Sequence, residues 1–347
     1  MISRRSVSFL LLVVLMISAA GCEGAKTNAA AGATPGSSQS AAQPASSSAS
    51  STASVQPAGP LLRIDPAKAW QYTREIVALG PRWDGSKGQQ HMGEYIHSKL
   101  KGDQVEEDAF VAETPEGKFT MRNIIAKFPG SKDGIIVLGS HIDTNYPLRK
   151  TNFVGANDGA SSTALLLAIA DQLRGKKLEG YSVWLAFLDG EEAIRQWSEQ
   201  DSLYGSKHLA QKWQQDGTSK KIKAFLLADM IGDKDLDIQR DVTNSTPWLE
   251  DAVLQAATSL GYQSYFFATT INGLEDDHLP FARIGVPVAD IIDLNYGYNN
   301  SYHHTTEDTL DKLSPKSLQI AGDVILETIR LVNGGAQGAA PASKPGS

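Results

Sequence analysis

The chain has a single cysteine, Cys22, among 347 residues. One thiol excludes a disulfide within the chain and any metal site built from several cysteines. Positive charge is also scarce, because 32 Lys and Arg face 39 Asp and Glu and the formal net charge is −7. This balance is unlike that of a nucleic-acid-binding surface, so we expect no nucleic-acid partner.

Apolar runs long enough to span a bilayer are missing. Residues 1–21, MISRRSVSFLLLVVLMISAAG, combine two arginines, a short apolar stretch and small residues, which is typical of an export signal peptide. The following SAAGC resembles a bacterial lipobox, although Ala19 stands where leucine is usual. We expect an exported lipoprotein, facing the periplasm or the cell exterior, with acylated Cys22 as its only membrane contact. The alternative is an ordinary exported protein with one spare thiol.

Two segments have too few large apolar residues to form a core. Residues 22–60 are almost entirely Ala, Ser, Gly, Pro, Gln and Thr, and residues 333–347 have the same character. We predict a flexible tether and a disordered tail. Residues 61–332 have ordinary globular composition and suffice for one large domain, which we expect to be a monomer.

Apolar runs alternate with amphipathic helical patterns in residues 61–332. Ser86 and Gln89 predict the start of one helix, and Ser314-Pro315 predicts the start of the last. The strand candidates are NIIAKF, GIIVLGS, YSVWLAFL, IKAFLLA and GVPVADII. Several are continuously apolar, as in strands covered on both faces. The prediction is an α/β single domain with a central, mostly parallel, mixed and twisted sheet and helices on both faces.

Acidic and imidazole side chains follow several of these strands. Ligands of open α/β sheets bind beyond the carboxyl ends of the strands, so we expect one site there. The residues concerned are His141 and Asp143, Glu191 and Glu192, Asp229, and Asp290.

A metal would explain why two glutamates stand side by side. One can ligate a dication while its neighbour acts as acid or base, and the metal charge removes their repulsion. Asp158, in GANDGAS, has a helix-capping explanation, but with Glu192 and a later histidine it fits one part of a zinc site. His303 and His304 are adjacent, so in an extended segment they would face opposite ways and one would ligate.

The motifs HIDT, GANDGAS, DGEEA, LLADMIG and HHTTEDT occur in this order. In this they resemble the zinc-dependent exopeptidases related to bacterial leucyl aminopeptidases. Over about residues 66–332 the chain is most similar to the animal-type glutaminyl cyclases of that superfamily. The stretch AIRQWSEQDS, inserted between the glutamate pair and LYGSKHLA, carries the closer similarity, together with DDHLPFARIGVPV.

The resemblance implies roles for individual residues. Glu191 would be the general acid and base, with Asp229 and Asp276 completing a hydrogen-bonded carboxylate network around it. Trp197 would form a wall of the glutamine pocket; the alternative is a core aromatic that anchors a long loop. The implied zinc ligands are Asp158, Glu192 and His304, and His141 and Asp229 are available for a second metal, so one Zn²⁺ is expected and two are not excluded.

Three positions depart from the animal pattern. Asp290, His303 and Asn299 stand where the animal enzymes have a histidine, a tryptophan and a phenylalanine. These changes affect the outer pocket and hence substrate preference. Tyr298 or Tyr302 would supply the missing aromatic face.

The resemblance implies that the N-terminal glutamine of peptides or proteins is converted to pyroglutamate with release of ammonia. The same residues with two zinc ions could instead hydrolyse N-terminal residues as an aminopeptidase does. A non-catalytic peptide-binding lipoprotein is a third reading, which fits less well because neither a ligand nor the base is missing.

Overall fold

The structure is a computed structural model that describes residues 59–336. The predicted signal peptide, Cys22, nearly all of the tether and most of the tail lie outside the described residues and stay predictions. Within the described residues, every helix is too short or too polar to cross a bilayer.

The secondary structure of the described residues consists of seven α-helices and eight β-strands. The helices are α1 (Pro66–Val77), α2 (Lys87–Lys99), α3 (Ala160–Leu173), α4 (Tyr204–Gln215), α5 (Pro247–Ser259), α6 (Leu279–Arg283) and α7 (Pro315–Asn333). The strands are β1 (Gln104–Thr114), β2 (Gly117–Phe128), β3 (Gly130–His141), β4 (Leu178–Leu188), β5 (Ile222–Asp229), β6 (Ile238–Asp241), β7 (Phe266–Ile271) and β8 (Val288–Ile292).

Six strands form the main sheet in the order β1-β2-β4-β3-β5-β8. Strands β4, β3, β5 and β8 run parallel to one another, whereas β2 pairs antiparallel with β4 and β1 pairs antiparallel with β2. This arrangement confirms the predicted mixed sheet, and all five predicted strand segments lie in it. Strand β1 was missed because QVEEDAFVAET is a largely exposed edge strand with little apolar signal. Strands β6 and β7 form a separate parallel pair.

Helices cover both faces of the main sheet, as predicted. The larger core packs one face against α1, α2, α3, α5 and α7. The smaller core packs the other face against α4 and α6. Successive residues of β3 alternate between the two cores, with Ile136 and Leu138 in the larger and Ile135 and Val137 in the smaller. A strand buried on both faces reads as an unbroken apolar run for this reason.

Both predicted helix starts are confirmed. The Ser86 hydroxyl accepts the Gln89 N–H at 3.0 Å and caps α2, while Ser314 caps α7. The last helix runs through Asn333, whose Oδ1 accepts the Tyr181 N–H at 2.8 Å. The folded part therefore extends past the predicted boundary at residue 332, because this polar side chain ties the helix end to β4.

Candidate active site

The glutamate pair follows a tight turn at the end of β4. Gly190 has a φ of +70°, and the next two backbone N–H groups, of Glu191 and Glu192, each donate to one Asp143 oxygen at 3.1 Å. Asp143 thus orients the turn so that the two buried side chains reach different partners. Glu192 Oε1 lies 3.1 Å from His304 Nε2, whereas Glu191 Oε2 lies 4.0 Å from a ring nitrogen of His141.

Asp158 lies at the centre of a histidine cluster. Its Oδ1 is 3.1 Å from His141 Nε2, and its Oδ2 is 3.3 Å from His304 Nε2 and 4.0 Å from His303 Nε2. The helix-capping explanation is wrong, because Gly159 is the N-cap of α3 and no side chain caps it.

The expected opposite orientation of the two adjacent histidines is also wrong. The ring centroids of His303 and His304 lie 3.9 Å apart and their planes make an angle of 38°. The segment turns here instead of running extended, since His304 has a φ of +50°. Both rings therefore point toward Asp158.

The cluster has the chemistry of a metal site. Asp158 Oδ2 and Glu192 Oε1 are buried and accept no hydrogen bond, although both lie near His304 Nε2. Unpaired buried carboxylate oxygens are costly unless a cation binds them. Within residues 59–336 two compact donor groups occur, one of Asp158 with His303 and His304 and one of Asp158 with His141 and Asp229, with donor atoms no more than 4.8 Å apart. Glu192 belongs to neither group, and it contacts the cluster through its Oε1, which lies 3.1 Å from His304 Nε2.

Carboxylates near Glu191 influence it through their charge. Burial raises the pKa of Glu191 well above its usual range; His141 opposes this, and Glu192 and Asp276 reinforce it. Burial also raises the pKa of Asp276, with the charges of Asp290 and Asp229 adding to it. The expected hydrogen-bonded network differs, however: in the part of the chain described, the side chains of Glu191, Asp229 and Asp276 interact through charge and not through direct hydrogen bonds.

Two residues that support the metal-type cluster were missed from the sequence. Asn145 donates to Glu192 Oε2 at 2.8 Å, and its only cue is its place four residues after His141. Asp308 accepts the N–H groups of Asn157 and Asp158 at 2.8 and 3.2 Å. It thereby fixes the loop that carries the central carboxylate.

Arg82 is a third missed residue. Its buried guanidinium donates to the carbonyl groups of Ile142, Val154 and Gly155 at 3.1, 2.6 and 3.2 Å. It joins the end of β3 to the loop before Asp158. Nothing in GPRWDG indicates that this arginine is buried.

A cavity of about 300 Å³ opens beside the cluster. Trp197 lies on its wall, 36% exposed, and donates its Nε1–H to Glu275 Oε2 at 3.2 Å. The reading of Trp197 as a core aromatic does not fit this exposure. The lining residues are Asp158, Glu191, Trp197, Asp229, Met230, Leu274, Glu275, Asp276, Ile292, Leu294, His303 and His304.

The departures from the animal pattern fall in different places. His303 lines the cavity, whereas Asp290 is fully buried within β8. Asn299 lies in a left-handed turn with a φ of +52°. Of the two candidate tyrosines, Tyr302 packs edge-on against another tyrosine and Tyr298 is 86% exposed, and neither is among the residues that line the cavity.

A family model and a similar relative both identify the same family for this chain. The model of peptidase family M28 matches residues 123–329, more than half of the chain. A glutaminyl-peptide cyclotransferase-like protein of Bos taurus is 31% identical over 284 residues, which are 74% of this chain and 73% of that one. The chain belongs to peptidase family M28, in its glutaminyl-cyclase branch.

This M28 chain is also similar to solved structures of bacterial proteins. The crystal structure of an Acidobacteriales bacterium glutaminyl cyclase is 55% identical, covers 80% of this chain and 98% of its own, and superposes with a TM-score of 0.77. A Zn-dependent exopeptidase from Parabacteroides distasonis is 26% identical, covers 78% of this chain and 99% of its own, and has a TM-score of 0.70. The predicted fold class and family are thus confirmed.

Proposed function

We propose that this M28 chain is a glutaminyl-peptide cyclotransferase, which closes the N-terminal glutamine of peptides or proteins into pyroglutamate and releases ammonia. One observation carries the proposal: Glu191, the metal-type cluster and Trp197 of the cyclase-like insertion all face one cavity. The 55% identity to a bacterial glutaminyl cyclase supports it.

The donor set fits Zn²⁺, which takes three nitrogen or oxygen ligands in catalytic sites and keeps a position open. Asp158, Glu192 and His304 would hold it, because His304 Nε2 meets a carboxylate oxygen of each at 3.3 and 3.1 Å. When bound, the ion supplies a Lewis acid that polarises the amide carbonyl of the substrate.

Glu191 would carry the proton. It accepts one from the attacking α-amine of the substrate and returns it to the leaving amide nitrogen, so that ammonia departs and no net proton is consumed. A general base works best with a proton affinity near the working pH, and burial raises the pKa of Glu191 in that direction. Asp276 lines the same cavity, and its charge adds to the rise in the pKa of Glu191.

Trp197 would position the substrate. Cyclisation needs the glutamine side chain bent back toward its own amine, and a rigid aromatic wall favours that conformer. The carboxylates of the lining, including Glu275 beside the indole, suit a substrate that arrives as an N-terminal ammonium.

A metal-dependent aminopeptidase is the second candidate. The compact group of His141, Asp158 and Asp229 could hold a second ion, and a water activated there would release the N-terminal residue instead of cyclising it. The metal content and the product distinguish the two reactions.

The decisive experiment incubates the zinc-loaded protein with a peptide that begins with glutamine and follows peptide mass and ammonia. We expect the peptide to lose the mass of one ammonia and to stay otherwise whole. Release of free glutamine would support the aminopeptidase. If both products were absent with zinc verified in the sample, the enzyme proposal would be overturned for this substrate class.

We also propose that the protein is exported as a monomer and anchored by an acylated Cys22. The support is the sequence alone, through its signal-like N-terminus and lipobox-like SAAGC. In a bacterial host, the full chain should partition into detergent with a lipid-modified N-terminal peptide. The Cys22→Ala variant should stay in the aqueous phase, and equal partitioning of both would contradict acylation.

A further inference from the structure

His278 is a buried histidine for which the reaction above has no use. It directly precedes α6 and is 0% exposed. Its Nε2 lies 3.3 Å from Asp241 Oδ2, and its Nδ1 lies 3.3 Å from Asp290 Oδ2. The imidazole thus stands between two carboxylates that come from β6 and β8.

The two carboxylates differ in their other contacts. Asp241 accepts the N–H groups of Thr243 and Asn244 at 3.0 to 3.2 Å, so it is held firmly by its own turn. Asp290 is buried, and neither of its side-chain oxygens accepts a well-directed hydrogen bond from a described group. His278 is therefore the basic side chain that Asp290 faces.

Charge balance explains the arrangement. A buried carboxylate without a counter-charge is strongly unfavourable, and here two carboxylates lie 3.3 Å from one ring. A protonated imidazole places one N–H group 3.3 Å from an oxygen of each carboxylate and leaves the group with one net negative charge. Neutral His278 could donate to only one of them.

Asp276 connects Asp290 to the cavity. Asp290 does not line the cavity. Burial is the largest cause that raises the pKa of Asp276, and the charge of Asp290 is the next largest. Asp276 lines the cavity beside Glu191 and lies two residues before His278 in the chain. The Asp276 carbonyl accepts the Leu279 N–H at 2.8 Å, so one tight turn carries both Asp276 and His278. A change at His278 or at its partner Asp290 therefore reaches Asp276, which lines the cavity together with Glu191.

We propose that His278 is a positioning residue for cyclisation: it holds Asp290 behind Asp276 and balances the Asp290 charge, so that Asp276 keeps its place beside Glu191. This inference rests on the proposed function. It assigns a task to the motif DDH and to Asp290, one of the positions that departs from the animal pattern.

The test compares His278→Gln, Asp290→Asn and the double variant in the zinc-loaded protein. With His278→Gln, the Asp290 charge is left unbalanced. We expect kcat to fall about tenfold, less than the ~100-fold or more that loss of a general base costs, and KM to stay within about threefold. Removing the Asp290 charge as well should restore most of the lost kcat, because the carboxylate that remains, Asp241, keeps the N–H donors of its own turn.

A purely structural role predicts a different pattern. In that case the second substitution would add to the damage, and a double variant no faster than His278→Gln would overturn the proposal, as would an unchanged kcat in His278→Gln. If His278→Gln does not fold, Asp290→Asn and the double variant carry the test. They should have equal kcat, and a further tenfold loss in the double variant would contradict charge balancing.

His208→Gln is the matched control. His208 also pairs with a carboxylate, Asp108, at 2.9 Å and stacks on Phe110, but it lies on α4 outside the cavity lining. It should leave kcat unchanged. An inactive wild-type enzyme would refute the proposed function, whereas an active wild type without the charge-dependent rescue would refute only the task given to His278.

Discussion

Glu191→Gln separates proton transfer from metal binding. The amide has nearly the shape of the carboxylate, and the residue is 8% exposed on the cavity wall. Because burial raises the pKa of Glu191, its charged form is unfavourable in the fold, and neutralising it should not lower the stability. The backbone N–H stays bonded to Asp143, so the turn that places Glu192 is preserved.

The size of the expected rate loss follows from the role of Glu191 as general acid and base. Loss of a general acid and base costs between about 10²- and 10⁴-fold in rate. Asp276 is a second carboxylate on the same cavity wall, so we expect a middle value. The expected loss in kcat is about 10³-fold, or roughly 4 kcal/mol of activation free energy, with bound zinc unchanged.

Glu192→Gln is the matched control one residue away. Its carboxylate meets His304 at 3.1 Å and accepts a hydrogen bond from Asn145 at 2.8 Å, so this variant should lose zinc and activity together. Steady-state ammonia release and metal analysis of both variants measure the difference. Our assignment fails if Glu191→Gln keeps more than about a tenth of kcat, or if it is the variant that loses the metal.

Substitutions at four other residues test separate parts of the structure. Trp197→Ala should raise KM for a glutamine-initiated peptide about tenfold while Trp197→Phe keeps most of the binding, as steady-state kinetics would show; equal KM values would remove Trp197 from the pocket wall. Arg82→Lys should lower the free energy of unfolding by about 3 kcal/mol in urea, because lysine cannot reach three carbonyl groups at once; an unchanged midpoint would contradict this. Gly205→Ala should destabilise the fold in thermal unfolding, since its Cβ would overlap the Asp189 carbonyl oxygen, and a wild-type melting temperature would show that the backbone relaxes. Burial lowers the pKa of His278, but its two flanking carboxylates outweigh this and raise it from 6.5 to about 9, so its stabilisation is complete below pH 6.5 and is lost as the pH rises through 9. Wild type should therefore lose up to about 3 kcal/mol of unfolding free energy over that range and His278→Gln should not, and parallel urea curves would refute the shift.

The sequence identified the candidate site well because its residues occupy short motifs at strand ends. His141, Glu191, Glu192 and Asp229 each end or follow an apolar run, and parallel strands bring such ends to one edge. The motif GANDGAS already indicated Asp158, and the resemblance selected His304 from the adjacent histidines. The structure brings these two residues together from loops far apart in the chain.

Other features of the site left no local signal. Asn145, Asp308 and Arg82 are ordinary polar residues in loops, and only their tertiary partners show that they orient the cluster. The turn at His304 also escaped the sequence, because a positive φ outside glycine depends on tertiary contacts more than on local preference. Adjacent histidines thus reach one carboxylate instead of facing opposite ways.

The sequence by itself determined the α/β class, the five buried strands of the sheet and the helix starts at Ser86 and Ser314. These depend on apolar periodicity and capping, which are local properties. Only the tertiary structure decided which carboxylates are buried without hydrogen bonds, that Trp197 lies on a cavity wall, and that His278 stands between Asp241 and Asp290. Charge and burial depend on what surrounds a residue in space, and neighbours in space come from segments that the order of the chain keeps apart.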